Sequence, residues 1–278
     1  MNELLAQESL SDFHIFSRSL PLRMKVSEVL RVLGKTEGED CLVIGADNAA
    51  IVHHLSRKGG TWYSMVTSAA AAAAVRPVLG ENNVFVLDGD VLPFKKKVFD
   101  VVIVMDMLER LSHPESFIME CNRITREDGR LVVSVAKRKP FSMIGSVRRT
   151  LGSALEKRGM LYPGYTEKEL FNLLKDGFDV HTMRSYCRFF VEVVEACVQS
   201  LRHRTESGDP VAGKSLERIY SVAGPFYFLA SQMDMLLLFT RGHHLIASAK
   251  RRPWRPRKTP VLSDGRSISE AVLSRAPR

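Results

Sequence analysis

The sequence is poor in cysteine, and its few cysteines form no recognisable pattern. Only four occur among 278 residues: Cys41, Cys121, Cys187 and Cys197. They are widely spaced, form no C-x-x-C pair and lie in no neighbouring histidine pattern, which argues against a zinc site. Isolated cysteines are typical of a reducing compartment, so a fold held together by disulfides is excluded.

The sequence also lacks an export signal and an uninterrupted membrane-spanning run. Its start, MNELLAQESLSDFHIF, has acidic residues and no basic segment followed by an apolar stretch. The apolar run at 215–239 is interrupted by Pro225, Gln232 and Asp234, whereas spanning needs about 20 apolar residues. We therefore expect a cytoplasmic protein, with two readings of this run: helices that cover the core, or a peripheral contact at the inner face of a membrane.

Positive charge is concentrated in the last part of the chain. From Arg241 onward there are ten Lys or Arg against Asp264 and Glu270, which gives +8 of the formal net charge of +9 and leaves the body nearly neutral. A neutral body does not predict specific nucleic-acid binding. Residues 251–278, with Trp254 among the cations, fit a membrane-surface anchor, a polyanion contact or a solvated tail, and the composition favours the last.

Short apolar runs alternate with segments of helical periodicity through the centre of the chain. Strands are predicted at 41–44, 62–66, 84–87, 98–105, 130–135, 178–186 and 242–250, and helices at 68–79, 114–124, 166–176 and 189–201. This alternation predicts an α/β fold with a doubly wound, mostly parallel seven-stranded sheet. We expect a helical lead-in at 1–34, a main domain at 35–250 with a helical insertion at about 189–240, and a basic tail at 251–278.

The segment CLVIGADNA, residues 41–49, is the most informative part of the sequence. An apolar run ends at Gly45, and apolar residues return at helical intervals from Ala49, which predicts strand, turn and helix. Such a turn points backbone N–H groups and a helix N-terminus at a ligand. Asp47 and Asn48 tolerate left-handed backbone angles better than other non-glycine residues. A ligand cradle and an ordinary tight turn are both compatible with this pattern.

Several short motifs, in this order, resemble the class I S-adenosylmethionine-dependent methyltransferases, in particular the methyltransferase type 11-like domain. They are VIGADNA at 43–49, VLDGDVLPF at 86–94, FDVV at 99–102, LERL at 108–111 with His113-Pro114, and ECNRI with DGRL within 120–131. Together they cover about 33–136, and their order and spacing imply the Rossmann-like methyltransferase fold.

The resemblance implies S-adenosylmethionine as the cofactor and assigns contacts to it. The positions that match the family's cofactor contacts, or lie beside them, are Ile44, Gly45, Ala46, Asp47, Thr67, Asp88, Gly89, Met105 and Asp106. Asp88 matches the acid that contacts adenine, and Thr67 lies near the usual ribose-binding acid. Asp106 either faces the transferred methyl group or caps the next helix. No catalytic base and no metal are predicted, because the adjacent pairs His53-His54 and His243-His244 point their rings in different directions.

The resemblance and the apolar C-terminal half together imply methyl transfer to a small or lipid-like acceptor. The basic insertion at 137–160 is expected to form a flap near the site, with Tyr162 and Tyr165 as candidate lid residues. Arg110 and His113 are expected to be surface residues at a helix start. The cofactor loop keeps only the first of the family's three glycines, which supports an alternative: an inactive methyltransferase-like binding or assembly protein. A nicotinamide-dependent oxidoreductase would need Gly-x-Gly-x-x-Gly, which the loop does not supply.

Overall fold

The computed structural model describes residues 2–89, 91–138, 160–187, 189–206, 212–236 and 242–254. In chain order the elements are α1 (Asn2–Arg18), α2 (Leu20–Leu33), β1 (Asp40–Ile44), α3 (Ala49–Ser56), β2 (Thr61–Val66), α4 (Ala69–Leu79), a 3-10 turn (Glu81–Asn83), β3 (Val84–Val86), β4 (Phe99–Met105), α5 (Pro114–Ile124), β5 (Thr125–Ala136), α6 (Glu167–Leu174), β6 (Phe178–Tyr186), α7 (Phe189–Glu206), α8 (Ala212–Leu236) and β7 (His244–Arg251).

The strands form one seven-stranded sheet in the order β3-β2-β1-β4-β5-β7-β6. Neighbouring strands from β3 to β5 pair in parallel, and β7 alone is antiparallel to both of its neighbours, β5 and β6. The strand order reverses between β1 and β4. These two strands are adjacent in the sheet, although β2 and β3 lie between them in sequence. This is the doubly wound, mostly parallel sheet that the sequence predicts.

Both faces of the sheet are buried, which is why its central strands are apolar throughout. In β4, Val101, Ile103 and Met105 face the layer formed by α1–α4, α7 and α8, whereas Val102 and Val104 face the layer that contains α5 and α6. This alternation follows from the two-residue period of a strand. The N-terminal helices therefore belong to the main core.

Side chains at the helix starts explain several boundaries. Ser19 caps α2 by accepting a hydrogen bond from the N–H of Leu22, and Ser68 caps α4 by accepting from the N–H of Ala71. At the start of α6, Thr166 and Glu169 form a reciprocal capping box. Each pattern satisfies N–H groups that a helix cannot pair internally.

Two parts of the C-terminal half differ from the prediction. Helix α8 continues through Pro225, a residue expected to interrupt the apolar run. The predicted tail also begins inside the fold, because β7 extends to Arg251 and the ring of Trp254 packs against the hydrophobic cluster that contains Phe178. Residues 255–278 and most of the predicted flap, 139–159, lie outside the described residues.

None of the described helices combines the length and the hydrophobicity that crossing a bilayer requires.

Candidate functional site

A cavity of about 550 Å³ lies at the edge of the sheet where the parallel strands end. Gly45 follows β1, Asp106 follows β4, and β5 and β6 end at Ala136 and Tyr186, so all four reach the same edge. Ligands of doubly wound sheets bind at this edge, where the strand order reverses. The lining consists of Asp12, Ile15, Pro21, Leu22, Lys25, Gly45, Ala46, Asp47, Asn48, Ile51, Met105, Asp106, Glu109, Arg110, Ala136, Met160, Tyr186, Glu192, Glu195, Gln199, Tyr220 and His244.

The turn after β1 requires glycine at its first position. Gly45 has φ of +82°, and a Cβ there would lie 2.4 Å from the carbonyl oxygen of Met105 and 2.4 Å from Cγ of Met107. The crowding comes from the neighbouring strand end, so this glycine is explained by packing within the protein as well as by its place beside the cavity.

The remainder of the loop is held by its own side chains. The carboxylate of Asp47 accepts hydrogen bonds from the backbone N–H of Thr67, at 2.8 Å, and from its hydroxyl, at 2.5 Å. Asn48 caps α3 by accepting from the N–H groups of Ala50 and Ile51. Asp12, from α1, accepts from the N–H of Ala49 at 2.7 Å. These three N–H groups of the first turn of α3 are therefore already bonded within the protein.

A partly buried ion pair joins the N-terminal helices to the end of β4. The ammonium of Lys25, on α2, bonds to Oδ2 of Asp106, which has a left-handed φ of 49°. Burial alone would raise the pKa of Asp106, but the charge of Lys25 lowers it below its ordinary value. Burial alone would lower the pKa of Lys25, but its charge and hydrogen-bond interactions with Asp106 raise it. Both groups are therefore charged near neutral pH.

The carboxyl group of Glu109, unlike that of Asp106, has a raised pKa. Its side chain is fully buried, Oε1 accepts a hydrogen bond from the N–H of Ala136, and Oε2 has no partner. Burial, together with repulsion from Asp106, raises its pKa to about 7. Glu109 is therefore poised between its neutral and charged forms under physiological conditions.

Another wall of the cavity is built by β6, α7 and β7. Nε2 of His244 lies 3.4 Å from Oε2 of Glu192, and the His244 ring stacks on Tyr186 with a centroid separation of 5.3 Å. The hydroxyl of Tyr186 is 2.9 Å from that of Ser134, and either can donate. Nδ1 of His244 is buried without a partner. This wall therefore offers another unpaired polar group, on the residue paired with Ala136, whose N–H bonds Glu109.

The cavity lining is rich in acidic groups. Six of its residues carry carboxyl groups: Asp12, Asp47, Asp106, Glu109, Glu192 and Glu195. Only Lys25 and Arg110 are permanently cationic, and Lys25 is neutralised by Asp106. In a partly buried site this excess of carboxylates favours a ligand that carries positive charge or donates hydrogen bonds.

The structure brings together five of the nine predicted cofactor residues. Gly45, Ala46, Asp47, Met105 and Asp106 line the cavity. The other four do not line it: Ile44 is buried in the core, Thr67 contacts Asp47, and Asp88 and Gly89 are exposed on the surface. An adenine contact by Asp88 therefore stays a prediction.

Three other predicted positions have distinct roles. Arg110, expected to be an ordinary surface residue, is exposed but lines the cavity, whereas His113 is exposed and does not. Tyr165 is buried, and its hydroxyl donates to the carbonyl of Leu108, so it belongs to the core. Tyr162 is exposed and bonds to the carbonyl of Ser112.

Sequence reasoning missed the residues that bring charge from distant segments. Asp12, Lys25, Glu192 and His244 lie in no recognisable motif, so no local signal identifies them. The sequence did contain a signal for Glu109, because this residue lies in the LERL motif, which carries part of the family resemblance.

The fold and the position of the cavity are those of the Rossmann-like methyltransferase fold. Comparison with known families agrees with this assignment of the fold. Residues 42–133 match the family model described as "Methyltransferase domain". This match confirms the resemblance to class I methyltransferases and supports methyl transfer in general.

Among curated relatives, a demethylmenaquinone methyltransferase from Tropheryma whipplei (strain Twist) is 30% identical over 105 residues. That match covers 37% of this chain and 44% of the relative, so the chain spans less than half the length of the curated relative it matches.

Solved structures share the fold over most of the chain. The cyclase SpnF aligns with a TM-score of 0.55 at 16% identity, covering 82% of this chain and 80% of SpnF. A geranyl diphosphate C-methyltransferase from Streptomyces coelicolor A3(2), solved with S-adenosyl-L-homocysteine, aligns with a TM-score of 0.52 at 12% identity, covering 82% and 75%. Because a cyclase and a methyltransferase both align, these similarities establish the fold and leave the reaction to be argued from the site.

Proposed function

We propose that this protein transfers a methyl group from S-adenosylmethionine to a small or lipid-like acceptor that carries a dissociable proton. The observation that carries the proposal is the acidic cavity at the ends of β1 and β4, bordered by Gly45, Ala46 and Asp106. A match to methyltransferase sequences over residues 42–133 supports the same chemistry.

The residues of the cavity fit the charged end of this cofactor. Oδ1 of Asp106 and Oε2 of Glu109 are buried acceptors without hydrogen-bond partners. Leaving such atoms unpaired costs about 1–3 kcal/mol each, so a ligand that donates to them or brings positive charge is favoured. The ammonium and sulfonium groups of S-adenosylmethionine have these properties. Asp106 would hold that end, with Gly45 and Ala46 forming the adjacent wall.

The reaction requires positioning more than covalent help from the protein. S-adenosylmethionine, when bound, would supply an electrophilic methyl group on its sulfonium. The demethylated product, S-adenosylhomocysteine, is a neutral thioether. The walls of the cavity hold the acceptor in line and exclude water, which can lower a barrier by about 7–11 kcal/mol. A nucleophile that carries a proton must lose it as the new bond to carbon forms.

Glu109 is the residue placed to take that proton. It lines the cavity, its free oxygen has no partner, and its raised pKa of about 7 gives a base form near neutral pH with enough basicity to accept a proton. The N–H of Ala136 fixes the other oxygen and hence the orientation of the carboxyl group. A base with its pKa near the working pH is the most effective one.

A second candidate function is supported by the first turn of α3. The N–H groups of Ala49, Ala50 and Ile51 are bonded to Asp12 and Asn48 and are not free to bind a ligand. This arrangement favours a methyltransferase-like scaffold that binds another molecule and no longer takes up the cofactor.

Isothermal titration calorimetry at pH 8 distinguishes the two candidates. We expect S-adenosylmethionine to bind more tightly than S-adenosylhomocysteine, because only the former carries the positive sulfonium that the carboxylates attract. Glu109→Gln removes one negative charge and should reduce this preference severalfold. Asp88→Asn, outside the cavity, should weaken both ligands alike if Asp88 contacts adenine.

The decisive outcome is the behaviour of the unaltered protein. If folded protein gives no heat with either ligand at millimolar concentration, cofactor-dependent transfer is wrong and the scaffold function takes its place. Thermal unfolding curves of each variant establish that the titrated protein is folded.

A further inference from the structure

The outward face of α8 exposes an unusual amount of apolar surface. Fourteen large apolar side chains are exposed among those the structure describes, and six of them lie within fourteen residues of this one helix. They are Val222, Phe226, Phe228, Leu229, Met233 and Met235. Phe228 is 69% exposed and Leu229 is 59% exposed. Exposed apolar surface concentrated in this way on one helix marks an interaction site.

The helical period separates this face from the face that α8 buries. Tyr220, Ala223, Tyr227, Ala230 and Asp234 recur every three or four residues and are buried. The exposed residues Val222, Phe226, Leu229 and Met233 follow the same spacing on another side of the helix. The buried face is satisfied by the protein, since Tyr220 lines the cavity and Asp234 accepts hydrogen bonds from the start of α7. The exposed face therefore needs a partner outside the described fold.

The border of this face is positively charged. A groove of about 300 Å³ brings Arg18 and Arg23, from α1 and α2, beside Gly224 and Phe228. Both arginines are exposed, and the structure pairs neither guanidinium with a carboxylate within the described ranges. Arg218, which is exposed on α8, is also cationic.

This combination fits an anionic lipid surface. A helix that lies in a membrane interface has aromatic and aliphatic side chains on one side and arginine or lysine at its border. A lipid bilayer provides both the apolar layer and the negative headgroups. A second copy of the chain would cover the apolar face but would bring an identical cationic border to the contact.

We propose that the apolar face of α8 inserts into the interface of an anionic membrane, with Arg18 and Arg23 contacting the lipid headgroups. Membrane binding is a property of this surface and goes beyond the proposed function. A lipid-borne acceptor would then reach the cavity past Tyr220, and this second step rests on the proposed function.

Sedimentation of the full chain with vesicles tests the proposal. Vesicles of phosphatidylcholine with phosphatidylglycerol should bind the protein, and vesicles of phosphatidylcholine alone should bind it much more weakly. Exchanging two exposed apolar residues in Phe226→Gln/Leu229→Gln should lower the partition coefficient roughly tenfold or more, because both positions lose the apolar side chain that would be removed from water. Met119→Gln/Phe171→Gln, at two exposed positions on α5 and α6, is the matched control and should bind as the unaltered chain does.

The charged border is tested in the same way. Arg18→Gln/Arg23→Gln should weaken binding to anionic vesicles by about fivefold per arginine. The control Arg57→Gln/Lys58→Gln removes two exposed cations after α3 and should change binding much less. In a Phe226→Trp variant, tryptophan emission should shift to shorter wavelength with anionic vesicles and be quenched by brominated lipid.

Three results would overturn the proposal. The first is binding unaffected by Phe226→Gln/Leu229→Gln, which would assign it to the basic residues after 254. The second is a concentration-dependent dimer in analytical ultracentrifugation that this variant abolishes, which would assign the face to a second copy. The third is no binding to either vesicle. Each is independent of the calorimetric test, so membrane binding and cofactor binding can fail separately.

Discussion

Two neighbouring carboxyl groups in the cavity differ in protonation because they differ in partners. Asp106 is ion-paired with Lys25, which keeps it charged. Glu109 has a hydrogen bond from Ala136 and no cation bonded to it, so burial and the charge of Asp106 raise its pKa to about 7. Two acidic groups with separated pKa values in one cavity are characteristic of a site where a proton is moved.

Glu109→Gln should reveal this raised pKa in the stability of the folded protein. A carboxyl group whose folded pKa lies above its unfolded value costs stability as the pH rises from the ordinary 4.5 towards about 7. Glutamine keeps an oxygen for the N–H of Ala136 and cannot ionise. The variant should resemble the unaltered protein at pH 4 and be more stable at pH 8 by on the order of 3 kcal/mol.

Urea unfolding at pH 4, 6 and 8 measures this difference. Glu37→Gln, which removes one exposed carboxylate, serves as the control for the loss of a charge and should show no such growth with pH. A Glu109→Gln effect that is the same at all three pH values would contradict the raised pKa and, with it, the role of Glu109 as a base.

At the scale of elements, the turn between β1 and α3 is the position least tolerant of change. Gly45→Ala would introduce a Cβ 2.4 Å from the Met105 carbonyl oxygen, in addition to the cost of a left-handed φ. Gly80→Ala is a matched control, since Gly80 has φ of +89° with nothing within 4 Å of an added Cβ. We expect about 1–3 kcal/mol of destabilisation at Gly80 from backbone strain alone, and more than about 3 kcal/mol at Gly45.

Chemical unfolding of both variants separates the steric contact from the backbone strain. Equal losses of stability would show that Met105 and Met107 move aside easily and that the turn can open. Such a result would also make the loop more adaptable to a ligand than its internal hydrogen bonds suggest.

Most of the elements could be predicted from the sequence because their signals are local. Helix α5 was predicted with its observed bounds, Pro114–Ile124, and strand β6 with its bounds, Phe178–Tyr186. The capping box at Thr166 and Glu169 fixed the start of α6 in the same way. Alternation of these elements was sufficient to predict the sheet.

The charges of the site could not be predicted because they depend on contacts between distant segments. Lys25 reaches Asp106 from 81 positions away, and Asp12 reaches the N–H of Ala49 from 37 positions away. Helix α8 continues through Pro225 because tertiary packing of its buried face outweighs the local cost of proline. Periodicity carries no information on such pairings.

At the scale of the whole molecule, the site is built largely from outside the segment that matches the methyltransferase family. Thirteen of the 22 residues that line the cavity lie outside residues 42–133, on α1, α2, the end of β5, β6, α7, α8, β7 and the adjoining loops. The family segment supplies the edge of the sheet and the loop after β1. The remaining wall, with Lys25, Glu192 and His244, comes from segments that the family model does not match.

Hydrogen exchange measured with and without S-adenosylhomocysteine should show that residues inside and outside the family segment contact the same ligand. At about 100 times the dissociation constant, binding stabilises the folded state by about 2.7 kcal/mol, and amides that exchange through local opening slow only where the ligand closes that opening. We expect slower exchange in the loop after β1, in α2 around Lys25 and in α7 around Glu192, with α6 as the unaffected reference because none of its residues lines the cavity. Protection confined to residues 42–133 would contradict the shared cavity, because it would place the ligand against the family segment alone and leave the acidic wall without a role.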